Sequence, residues 1–129
     1  MSKKIEIEFL DHVAIRVKNI EDSIKWYEKV LGLKTYKLEK WGEYPVFLLS
    51  GKSGIALFPA TMDDSPMDPQ TKNVKIDHFA FHVNRENFEL AQSKYSALNL
   101  EFTVKDHHYF DSIYTQDPDG HTVELTCIK

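Results

Sequence analysis

From residue 12 to residue 17 the side chains alternate, with Val13, Ile15 and Val17 on one side and His12, Ala14 and Arg16 on the other. A period of two is the signature of a strand with one buried face. Asn19, followed three residues later by Asp22, then marks a helix start, and Ile20, Ile24, Tyr27 and Leu31 recur at spacings of four, three and four. That spacing predicts an amphipathic helix, and Gly32 suits its left-handed stop. Three short strands are expected next, over 34–40, 45–50 and 54–60.

The same order then returns. Asp11-His12-Val13-Ala14 reappears 66 residues later as Asp77-His78-Phe79-Ala80, and Leu31-Gly32-Leu33 finds its counterpart in Leu98-Asn99-Leu100. In the second copy Phe79, Phe81 and Val83 form the apolar side of the first strand. Asn84 is a helix cap, and Phe88, Ala91, Tyr95 and Leu98 make the helix face. Strands follow over 101–106, 110–116 and 121–127. The chain therefore reads as a duplicated α+β unit of two paired βαβββ modules, at about 5–60 and 76–129. Residues 61–75, with Pro66, Pro69 and the acids Asp63, Asp64 and Asp68, lack periodicity and read as a solvated linker, with an active-site lid as the alternative. Fifteen residues reach about 50 Å when extended, so the modules can pair within one chain or exchange between two.

Composition narrows the classes of function. A chain of 129 residues, 42% hydrophobic and 28% charged, is sized for one globular domain. Its charge of −4 is spread along the sequence, with no basic stripe for a phosphate backbone, so nucleic acid is not an expected partner. The start has no signal-peptide pattern, and no apolar run approaches a membrane span; a cytoplasmic protein with no membrane partner is expected. One cysteine, Cys127, cannot form an internal disulfide, and its position opposite in facing to Glu124 makes it a buried, inert thiol.

The chemistry falls on the strand faces turned away from the helices. His12 and His78 occupy equivalent positions there, and on the last strand Glu124 alternates with Val123 and Leu125 onto the same side. An inward carboxylate is costly unless paired or metal-bound. Singly, each residue has a plainer explanation, as a hydrogen-bonded core histidine or as an ion pair of Glu124 with Arg16. Duplication symmetry shifts the balance toward ligands. Two imidazoles and a carboxylate leave coordination positions open and suit a divalent metal, Fe(II) first, with Mn(II), Ni(II) or Zn(II) as alternatives.

These features resemble the vicinal oxygen chelate superfamily, which includes glyoxalase I, type I extradiol dioxygenases and fosfomycin-resistance enzymes. The resemblance runs over about residues 9–127. It is carried by the two Asp-His motifs, by Trp26-Tyr27-Glu28-Lys29-Val30-Leu31-Gly32-Leu33 and by Asp117-Pro118-Asp119-Gly120-His121-Thr122-Val123-Glu124-Leu125. It implies paired modules whose mixed sheet curls around a central cavity, with His12, His78 and Glu124 binding a metal, and a homodimer. In glyoxalase I a fourth ligand, a glutamate, falls where this chain has Ala56, which cannot ligate. That departure moves the expectation toward an extradiol-dioxygenase-like reaction. His107, the pair Ile113-Tyr114 and Glu124 resemble the extradiol signature, although Lys105 stands where that signature starts with a small or aliphatic residue. The fosfomycin enzymes share much of this hairpin.

In that reading His107 or His108 moves a proton and Tyr114 hydrogen-bonds the bound oxygens, with a polar strand edge as the plainer reading of the histidine pair. His82 lines the pocket, Arg16 meets an anionic substrate or forms a structural ion pair, and Trp41 and Phe58 rim and stack on a flat substrate. Trp26 is a packing or dimer residue. The expected partner is thus a small oxygen-chelating substrate. A glyoxalase-like lyase and a fosfomycin-type thiol transferase are the alternative reactions, and a non-catalytic drug-binding protein is the alternative class; retention of all three ligands favours an enzyme.

Overall fold

Asn19 sits in an extended conformation and its side chain accepts from the Asp22 N–H, so the first helix begins where the sequence places it. In the computed structural model, which describes residues 4–60 and 76–129, this helix is α1 (Ile20–Leu31), preceded by β1 (His12–Val17). Gly32, at φ 67°, ends it in the left-handed region. The strands β2 (Lys34–Tyr36), β3 (Val46–Ser50) and β4 (Ser53–Pro59) complete a sheet of order β1-β4-β3-β2, parallel at β1/β4 and antiparallel elsewhere. The second half repeats the plan with β5 (Phe79–His82), α2 (Arg85–Ala97), β6 (Phe102–Asp106), β7 (Phe110–Gln116) and β8 (Thr122–Ile128), in the order β5-β8-β7-β6. The fold is therefore α+β, with one helix on each of two four-stranded mixed sheets, and the chain divides into two compact units, one for each module. The linker expected over 61–75 lies outside the described residues.

Each helix covers one face of its own sheet. In the first module Ile15, Val17, Val46, Leu48, Ile55 and Leu57 are buried with Ile24, Tyr27 and Val30 of α1. Removing each such aliphatic side chain from water contributes about 1.5–3 kcal/mol. The buried stripe of α1 is Ser23, Ile24, Tyr27 and Val30, whereas Ile20 and Leu31 are half-buried, so the stripe is rotated slightly from the one expected. In the second module Phe88, Ala91 and Tyr95 of α2 are buried, and α2 packs on β8.

One local expectation is corrected. The strand expected over 34–40 stops at Tyr36, and Glu39–Trp41 forms a single 3-10 turn. Gly42, at φ 74° with its N–H on the Glu39 carbonyl, takes the chain out of that turn. At the second helix end Asn99 takes φ 58°, the left-handed conformation that glycine supplies in the first copy.

Candidate functional site

The sheet faces not covered by helices carry the polar chemistry, and they differ between modules. In the second module the register pairs Tyr114 with Glu124 and Glu124 with Ala80, placing these residues on one face with Ser112, Thr126 and Lys105. The Asp117–Gly120 turn delivers β8 to that position. The Asp117 carboxylate accepts from the backbone N–H groups of Asp119 and His121, both at 2.9 Å, and Gly120 adopts φ 84°. Glu124 is buried, 4% exposed, and one carboxylate oxygen lies 2.9 Å from His78 Nε2. Its other oxygen accepts from the Ser112 hydroxyl at 2.5 Å. His78 stands just before β5, its Nδ1 2.7 Å from the Asp77 carboxylate and its ring edge-on to Tyr114. Tyr114 is hydrogen-bonded to His107 Nε2 at 3.0 Å. Burial, together with the neighbouring Glu124 carboxylate and partly offset by a Ser112 hydrogen bond, holds the Tyr114 phenol above its ordinary pKa.

The corresponding face of the first module is aromatic. Ala56 and Phe47 are paired where the second module has Glu124 and Tyr114. His12 is edge-on to Phe47 at 5.0 Å between centroids, and Trp41 packs on Phe47 at 5.1 Å. Arg16 lies 5.5 Å over the Phe58 ring and donates to the Pro59 carbonyl at 3.0 Å. Among the described residues, a carbonyl and a ring are partners of the guanidinium. His12 Nδ1 is 2.7 Å from the Asp11 carboxylate. This strand entry is pinned by Ser53 Oγ on the Leu10 carbonyl and Gly54 N–H on the Asp11 carbonyl, at 2.7 and 3.1 Å. Position 54 accepts only glycine, because a Cβ there would run into the Leu48 carbonyl oxygen.

Of the residues singled out in the sequence, His78, Glu124, Tyr114 and His107 come together on the second module. His12, Arg16, Phe58 and Trp41 share the first. His82 is exposed at the end of β5, on the Glu124 side. His108 is corrected: at φ 71° in the β6–β7 turn, its backbone N–H bonds the Asp106 carboxylate at 2.7 Å, and His107 alone of the pair reaches Tyr114. Glu124 meets His78 and Ser112. Cys127 is buried as expected. Ser112 was not singled out, although the alternation that places Tyr114 inward also places the residue two before it. Asp11 and Asp77 are visible only as part of a repeated motif.

Residues 9–125 match the model of the Glyoxalase/Bleomycin resistance protein/Dioxygenase superfamily. The chain belongs to that superfamily. Among curated relatives, a metallothiol transferase FosB of Staphylococcus saprophyticus is 30% identical over 125 residues, covering 92% of this chain and 76% of the relative. A glutathione transferase FosA of Serratia marcescens is 24% identical over 119 residues, covering 92% and 80%. Among solved structures, a lactoylglutathione lyase from Agrobacterium tumefaciens superposes with a TM-score of 0.73 at 21% identity, covering 96% of each chain, which supports the fold. No helix among the described residues is long and apolar enough to cross a membrane.

A divalent metal of the kind the superfamily suggests fits the donor set of the second module. Donors about 2.1 Å from a cation lie about 3.0 Å apart at right angles and about 3.4 Å apart in a tetrahedron; His78 Nε2 and the Glu124 oxygen are 2.9 Å apart, in hydrogen-bond contact and close enough to share one cation. The Nδ1 atoms of both His12 and His78 already face carboxylates, the outer-shell arrangement common to metal-ligating histidines. Among the described residues no group of three or more His, Cys, Asp or Glu side chains gathers around one point, and His78 and Glu124 are in contact as a pair.

Proposed function

We propose that this chain is a divalent-metal-dependent enzyme acting on a small oxygen-bearing substrate, with His12, His78 and Glu124 as ligands and Fe(II), Mn(II), Ni(II) or Zn(II) as the metals to test. The observation that carries the reading is the buried Glu124 carboxylate set against His78 Nε2 beside the hydrogen-bonded pair His107–Tyr114. A bound cation would act as a Lewis acid on adjacent substrate oxygens and lower their pKa. The chain's own groups do the rest. Tyr114, its pKa raised, keeps its proton at neutral pH and donates it in a hydrogen bond to a substrate oxygen. His107, 3.0 Å away, takes or returns a proton through that hydroxyl. On the first module Arg16 offers a guanidinium to an anionic group, Phe58 and Trp41 offer ring faces to a flat or apolar part, and His82 lines the second module's approach. We place these functions in a single-domain homodimer.

The names of the relatives favour thiol transfer as the reaction to test first. In such a step the thiol gives up its proton, its sulfur bonds to an electrophilic carbon, a carbon–oxygen bond of the substrate breaks, and the released oxygen takes a proton from Tyr114 and His107, which the thiol's proton replaces. The extradiol-dioxygenase-like reaction is the second reading, favoured by the histidine, tyrosine and glutamate drawn together on one face. The test is metal analysis of protein purified without oxygen, beside His78→Ala, followed by three assays: fosfomycin with a thiol, the methylglyoxal–glutathione hemithioacetal, and catechols at an oxygen electrode. About one equivalent of metal lost in the variant, with thiol consumption, supports the first reading; oxygen uptake with catechols moves it to the second. A protein that takes up none of the four metals is a non-catalytic small-molecule binder, and the proposal is then wrong.

A further inference from the structure

We infer that Asp11 and Asp77 are positioning residues that hold the Nδ1 proton of the following histidine, so that each ring presents Nε2 as its metal-facing nitrogen. In a regular strand neighbouring side chains point to opposite faces, and a carboxylate does not meet the ring next to it. These two pairs stand at strand entries, with His12 the first residue of β1 and His78 the residue before β5. There both aspartates reach Nδ1 at 2.7 Å, at the short end of the range for a charge-assisted hydrogen bond. An ionised carboxylate only accepts, so the ring nitrogen facing it must carry the hydrogen; in the metal-free chain Glu124 makes the same demand on His78 Nε2, so His12 is the ring on which the aspartate's effect is read alone.

The pairing is also independent of what lies across the sheet. Glu124 meets the Nε2 side of His78, whereas the matching position in the first module is Ala56, yet the Asp–His contact has the same length in both. Both carboxylates are exposed, 68% and 77%, so burial does not force them onto the rings. Each contact instead fixes ring orientation and nitrogen identity, the two properties that a ligating imidazole needs.

This inference rests on the metal reading, and its test separates the two. Zn(II) is titrated into the full chain and into Asp77→Ala, Asp77→Asn, Asp11→Ala and Asp11→Asn, with circular dichroism as the check on folding. The alanine variants are expected to bind zinc about 10–100-fold more weakly. The asparagine variants, which keep a carbonyl acceptor, should recover part of that loss. Long-range proton–nitrogen NMR of the metal-free protein then reads the His12 ring: its neutral form should carry hydrogen on Nδ1 in the wild type and Asp11→Asn, and on Nε2 in Asp11→Ala. Unchanged zinc affinity and an unchanged tautomer in the alanine variants would overturn the inference. If the wild type takes up no zinc, the metal reading fails and the His12 tautomer alone decides the role of the aspartate.

Discussion

The two modules share strand order, helix caps and an Asp–His pair at the first strand, yet their open faces have opposite character. Where the second module places Glu124 opposite Tyr114, the first places Ala56 opposite Phe47, with Trp41 packed on that ring. A βαβββ scaffold thus constrains the covered face tightly and leaves the open face to function. One copy carries a carboxylate, a tyrosine and two histidines in contact, and the other carries aromatic surface with one histidine and one guanidinium. The difference explains how a carboxylate is tolerated at 124: His78 and Ser112 meet both of its oxygens, compensating its desolvation.

That contrast can be broken in steps. The largest effect is expected from Tyr114→Phe and from His107→Phe, each lowering turnover roughly 10²–10⁴-fold while metal content stays at the wild-type level; loss of metal in either would move these residues from proton handling to metal retention. Next, Ala56→Glu puts an acid on the aromatic face, where the register partner is Phe47. An uncompensated buried charge costs about 3–5 kcal/mol, and the metal-free melting temperature should fall accordingly. An unchanged melt would mean that the two faces are more alike than their residues suggest.

Smaller effects test the shared scaffold. Asn19 and Asn84 both accept from the backbone N–H three residues on, so Asn19→Ala and Asn84→Ala should each cost about 1 kcal/mol in denaturant unfolding. Clearly unequal costs would show that the caps are not equivalent. The smallest effect is at Tyr95, whose buried hydroxyl has no hydrogen-bond partner among the described residues and whose pKa burial pushes up to about 12 from 10.0. The folded chain keeps this proton while the unfolded chain releases it, so stability falls as pH rises from 10 to 12. Tyr95→Phe should remove that slope and change stability near neutral pH by no more than about 1 kcal/mol, read by urea unfolding across the alkaline range.

The covered faces were legible because burial imposes a period: alternation located β1 and β8, and the Asn caps located both helices. The 3-10 turn at Glu39–Trp41 was not, since Gly42 breaks a segment whose composition still suits a strand. Alternation also put Glu124 on the face turned away from the helices, and the resemblance brought Tyr114 to the same site. Which of His107 and His108 meets Tyr114 depended on turn geometry, where no period applies, and the structure decides it through the left-handed conformation of His108. Ser112 was missed because a serine on a strand carries no signal until its partner is known. The aspartates were visible as a repeat, but a contact between sequence neighbours follows from the local backbone at a strand entry.

The central claim is that the polar face of the second module binds a divalent metal through Glu124. Its most direct test is the metal content of anaerobically purified wild type and Glu124→Gln, which keeps the shape and removes the charge. The account predicts about one equivalent per chain in the wild type and little in the variant, with both folded by circular dichroism. Equal metal in the two proteins, or none in the wild type after exposure to Fe(II), Mn(II), Ni(II) and Zn(II), would contradict it.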